Sequence, residues 1–128
     1  MKTKLPKPPA ALTADQAAEF SRVAAELAQV GILDMIGADA IAAYSVAYVR
    51  WRDAEKALAT DGDVVKLPNG YAGQNPYLAV SLAAARQMRG FQDRVGDAKR
   101  RAAKKAKAST VRPRMRIVDD DLSEAASG

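Results

Sequence analysis

Alanine fills 28 of the 128 positions, against one Trp and two Phe, and that imbalance narrows the folds open to this chain more than any motif in it. Ala is the strongest helix former because its side chain loses no rotamer freedom when the backbone coils. It also buries little area per residue, so helices built from it meet in lean cores. A short chain with a lean core often needs copies of itself or a partner to become stable. The expected fold is mainly α: a three-helix body with a short β-like hairpin or turn between helices two and three, and flexible charged tails. Self-association follows from composition alone.

Local signals place the helices. Thr13 and Gln16 stand at capping-box spacing, and Phe20, Val23, Ala24 and Leu27 follow at helical intervals before Gly31. That predicts a first helix over about 14–30. Ile32 and Leu33 read as a buried connector. A second helix is predicted from near Gly37 to Asp61-Gly62, with Ile41, Tyr44, Tyr48, Trp51 and Leu58 near one face. Val64 to Tyr71 carries β-formers around Asn69-Gly70, and Pro68 keeps any strand short. Asn75-Pro76 then opens a third helix with an N-cap and a first-turn proline. Its expected packed stripe is Leu78, Leu82, Ala85, Met88, Phe91 and Val95. At Gly96 the pattern permits either a stop or a continuation through Lys107, and residues past Ser109 are expected to be mobile.

The chain has no Cys and no His. Thiol nucleophiles, histidine bases, disulfides and Cys/His metal sites are thereby removed. With the carboxylates scattered, neither an enzyme nor a cofactor or metal site is expected. No apolar run approaches the ~20 residues that span a bilayer. The basic, Pro-rich start has no apolar segment behind it, so no signal peptide and no membrane association are expected.

Charge divides the chain more sharply than hydropathy does. Residues 1–93 balance, with ten Lys/Arg and ten Asp/Glu. Residues 94–116 carry ten cations, Arg94, Lys99, Arg100, Arg101, Lys104, Lys105, Lys107, Arg112, Arg114 and Arg116, against Asp97. Asp119, Asp120, Asp121 and Glu124 then close the chain. The implied segments are an extended basic tail (1–12), a helical core and oligomerisation domain (13–96), a basic arm (97–118) and an acidic tail (119–128).

Taken in order, the features resemble the bacteriophage terminase small subunits. The matching pieces are Leu12-Thr13 before an amphipathic helix, Gly31-Ile32-Leu33, and Asp39 opening a long helix with Tyr44, Tyr48, Trp51, Ala54 and Glu55. Gly62, a turn, Gly70 and Asn75-Pro76 follow. The likeness covers about residues 12–96. Val95-Gly96-Asp97-Ala98-Lys99-Arg100 departs from it, keeping a Gly and basic residues but lacking the family's Pro and Ser. The resemblance implies a non-enzymatic, ring-like homo-oligomer in the host cytoplasm. Such a protein would bind double-stranded viral DNA at the packaging initiation site and regulate the terminase large subunit, which owns the ATPase and nuclease.

For the residues themselves, bland and functional readings compete. The ten cations of the arm suit phosphate contact, which positions a protein on DNA without reading sequence; the bland reading is a solubilising tail. If the helix continues, Arg100, Lys104 and Lys107 share a face, with Arg101 and Lys105 beside it. Arg50, Arg52, Arg86 and Arg89 are secondary DNA candidates, better read as solvated helix faces. Phe20, Leu27, Tyr44, Tyr48, Trp51, Leu82, Met88 and Phe91 are expected in the core or a subunit interface rather than stacked on bases. Asn69-Gly70 lacks the Lys-Ser/Thr of a phosphate loop and reads as a turn. Asp119–Asp121 read as a solvated tail or as competitors for the arm. A helix-turn-helix is disfavoured by the long connector and by the paucity of base-reading side chains on either helix. A small helical DNA-binding regulator or nucleoid-type protein, and a protein-interaction adaptor, remain alternatives.

Overall fold

The structure, a computed structural model, describes residues 4–127, with side chains described through residue 108. The order of elements is α1 (Ala14–Gln29), α2 (Leu33–Ile36), α3 (Ala38–Asp61), β1 (Val64–Lys66), β2 (Ala72–Gln74) and α4 (Pro76–Ser127). The mainly α architecture with one small hairpin is the one that composition and periodicity predict.

Both ends of α1 are closed by local chemistry. The Thr13 hydroxyl accepts from the Gln16 amide at 3.2 Å, and the Thr13 amide donates to Gln16 Oε1 at 3.1 Å. Two amide donors that the helix leaves open are thus satisfied reciprocally. At the other end Gly31 takes φ 76°, a backbone that favours glycine. The Gly31 amide then donates to Ala28 and the Ile32 amide to Leu27. This double closure brings Ile32 against the last turn of α1, and Ile32 is fully buried. The stretch expected as a plain connector is in part the one-turn helix α2, which buries Leu33 and Ile36. Four residues are too few for a periodicity to announce it.

The helix α3 is central, flanked by α1 and α4. It buries Ala47 and Val49, which at 3.6 residues per turn lie about 160° apart around the axis. Packing on two sides replaces the single apolar face expected for it. The α1 helix runs antiparallel to α3, since Asp15 at its start bonds Arg52 while Leu27 near its end shares a cluster with Ile41. That cluster is the core, built on Phe20, Ile32 and Ile41, all 0% exposed. Ser45 is equally buried, and its hydroxyl donates to the Ile41 carbonyl at 2.7 Å, so no polar atom is stranded there.

The strands pair antiparallel with Val65 opposite Gly73. A Cβ at Gly73 would stand 2.4 Å from Leu67 Cδ1, so the bare glycine lets Leu67 fold over the ladder. Asn75 joins the hairpin to both long helices. Its Nδ2 donates to the Gly62 carbonyl at 2.9 Å, and its Oδ1 accepts from the Tyr77 amide at 3.0 Å, capping α4. The α4 helix then continues through Gly96 without a break. Its packed stripe runs through Ser81 and Ala84 rather than Leu82, which is 54% exposed. With α3 approaching from the side of Ser81, a small residue lets the two helices close, and the larger leucine turns outward. The mobility expected past Ser109 falls outside the residues whose side chains are described.

Two substitutions test this account. Phe20→Ala empties the centre of a lean core, and a loss of about 3–5 kcal/mol in chemical denaturation is expected. At Gly96 an added Cβ meets only the Arg100 guanidinium, at 3.6 Å. Gly96→Ala should therefore stabilise the protein by about 0.5–1 kcal/mol, read as a higher melting temperature. A lowered melting temperature would mean that the chain turns at Gly96.

Candidate nucleic-acid interface

The cations of interest are displayed by α4, so what holds that helix determines where they go. Its inward side carries Met88, Phe91 and Val95, all partly buried, and ends in Ala98, 6% exposed, and Ala102, partly buried. Phe91 stacks on Tyr44 of α3 with ring centroids 4.5 Å apart. Val95, Ala98 and Ala102 belong to the cluster around Phe20. From residue 103 to residue 108 every side chain is exposed. The helix therefore leaves the body at Ala102 and carries its basic segment onward. Helix-forming Ala, Lys and Arg sustain it there, and Arg100 pairs with Asp97 one turn back.

Arg94, Lys99, Arg100, Arg101, Lys104, Lys105 and Lys107 are all exposed. Arg112, Arg114 and Arg116 lie outside the described side chains, as do Asp119, Asp120 and Asp121. At 3.6 residues per turn, Arg100, Lys104 and Lys107 fall within about 60° of one another, opposite the packed stripe. Arg101 and Lys105 flank them on one side. Lys99 lies on the other side, in a groove with Arg22, Glu26, Tyr44 and Phe91.

The secondary candidates separate. Arg86 and Arg89 are exposed, and no ion pair holds either among the described residues. Arg50 is exposed on α3. Arg52 is engaged: its Nη2 donates to Asp15 at 2.8 Å and to Asp53 at 3.0 Å. The hydrogen bond to Asp15, then that to Asp53, raises its pKa and ties α3 to the start of α1.

The aromatic residues form a ladder in place of a free stacking platform. Tyr44 and Tyr48 stand 6.4 Å apart and nearly parallel, and Trp51 continues the line at 6.4 Å from Tyr48. All three are half-buried, while Phe20 and Leu27 are buried. Burial foremost raises the pKa of Tyr44. One charged cluster was not anticipated. Arg22 donates to Glu19 at 2.6 and 2.8 Å and to Glu26 at 2.7 Å, although Glu19 is only 7% exposed. Its spacings of three and four residues along α1 were the available signal. The paired carboxylates, Glu19 first, raise the Arg22 pKa. This cluster neutralises a nearly buried carboxylate and leaves α1 with no spare cation.

Chemically, the surface offers dense, exposed positive charge on a rigid support. Among the described residues no group of three or more Asp or Glu side chains is placed to hold a metal ion. No helix among them is long and apolar enough to cross a membrane. Neither a curated protein nor a solved structure matches the chain. Residues 17–109 do match one protein family, described as the phage terminase small subunit. The match covers most of the chain and runs past Gly96 through Lys107, beyond the limit of the motif resemblance. This chain belongs to the phage terminase small-subunit family.

Proposed function

We propose that this protein binds viral DNA for packaging and presents it to the terminase large subunit, working as a homo-oligomeric ring in the host cytoplasm. The observation that carries the reading is the reach of the family match, which takes in the basic extension of α4 together with the helical body. Seven exposed cations from Arg94 to Lys107 supply the electrostatic part of DNA affinity. Contacts of that kind hold a duplex in place without reading its bases. The role is non-catalytic: cutting and translocation belong to the large subunit, whose activity this chain regulates.

Ring formation finds support at the hairpin end of the molecule. Val64, Tyr71, Tyr77, Val80 and Leu82 are all at least 40% exposed there. Large apolar side chains gathered at one end favour contact with further protein. The family match favours this reading over a small DNA-binding regulator or nucleoid-type protein and over a protein-interaction adaptor.

The arm is best tested by substitution, because Ala98 and Ala102 belong to the packed body and a cut before them would damage it. Replacing Lys104, Lys105 and Lys107 by Gln should flatten the dependence of log K on log salt by about 2.7 for duplex DNA, at about 0.9 per lost phosphate contact. An unchanged slope would remove the arm as the DNA-binding element. Native mass spectrometry at micromolar protein should show a closed assembly of several copies; monomer alone across that range would overturn the ring.

A further inference from the structure

We propose that α4 binds duplex DNA across a groove, with Arg86 and Arg89 on one phosphate ridge and Arg100, Lys104 and Lys107 on the other. The proposal rests on the DNA reading above and extends it from the arm into the body. Arg86 and Arg89 belong to the same outward line as the arm. At 3.6 residues per turn, all five cations lie within about 60° of one another, opposite Ala84, Phe91 and Ala98. Because α4 is one continuous helix, the line spans about 32 Å from residue 86 to residue 107.

The same line has a gap in its charge. Asp93 and Asp97 occupy the outward face between the two groups, and both are exposed. A helix lying along a single phosphate ridge would press these carboxylates against phosphates, where like charges repel. A helix crossing two ridges places them over the open groove instead. The spacing suits that arrangement: Arg89 and Arg100 are about 16 Å apart along the axis, against a major groove about 12 Å wide. Asp97 also holds Arg100, orienting the first cation of the second group.

The full-length protein and a mixed-sequence duplex are titrated by fluorescence anisotropy at several salt concentrations. The double substitution of Arg86 and Arg89 by Gln should weaken binding and lower the salt slope by about 1.8 per protomer. The substitution of Lys104 and Lys107 by Gln should do the same. Gln keeps helix propensity at exposed sites, and unchanged circular dichroism confirms the fold. If the Arg86/Arg89 variant binds like wild type while the Lys104/Lys107 variant weakens, the strip ends at the arm and the proposal fails alone. Absence of any salt-dependent affinity in the wild-type protein would overturn the DNA reading itself and favour an acidic protein partner. Asp93→Asn should change affinity only slightly. A gain of about ten-fold or more would place this carboxylate on a phosphate and overturn the groove crossing.

Discussion

Ala98 packs into the cluster built on Phe20, Ile32 and Ile41, and the placement of everything charged on α4 depends on that contact. Among the described side chains it is the last buried position of the helix, and Ala102 one turn on is the last partly buried one. There α4 meets α2, and the same cluster takes in Leu27 near the end of α1. A larger residue would lift the helix from the body and swing the basic extension with it. The alanine-rich composition thus has a specific use here: it lets a basic helix be seated firmly with very little apolar volume.

Stability is distributed unevenly along the long axis. Near Gly31 the molecule is three elements deep, and glycine closures bring Ile32 and Ile36 into the core. Toward the hairpin α3 and α4 continue together, packed through Ala54, Leu58, Ser81 and Ala84. Two-stranded hairpins are marginal on their own, so this end depends on Asn75 to tie strand, α3 and α4 together. The exposed apolar side chains concentrate at this thinner end. Composition called for copies of the chain, and this is where a shortage of buried surface is visible.

Much of the fold was legible because its boundaries are chemical. Thr13 with Gln16, Gly31, Gly62 and Asn75-Pro76 each solve a local backbone problem, and each marks an end that the structure keeps. What escaped was decided by partners distant in sequence. The second strand, Ala72-Gly73-Gln74, has no β-forming side chain and exists because Val64–Lys66 lies beside it. Leu82 looked like a packing residue until α3, arriving on the side of Ser81, set the rotation of α4. Arg52 read as part of a solvated helix face; besides its neighbour Asp53 its partner is Asp15, 37 residues away. Continuation through Gly96 could not be read from a glycine that either helix or turn accepts. For the candidate interface, charge counting identified the arm, while the alignment of Arg86 and Arg89 with it required the helix to be unbroken.

That unbroken helix ties the direction of the cations to the core by phase. Each residue added or removed between Ala102 and Lys104 would turn every later side chain by about 100° around the axis. With alanine as the residue gained or lost, such a change leaves the net charge untouched, yet it would aim Lys104 and Lys107 away from the line begun by Arg86. Swapping Lys for Arg on this helix is therefore a mild change, whereas altering its length is a severe one. The arm behaves less like a charged tail than like a screw thread, whose pitch is cut into the packed half of the protein.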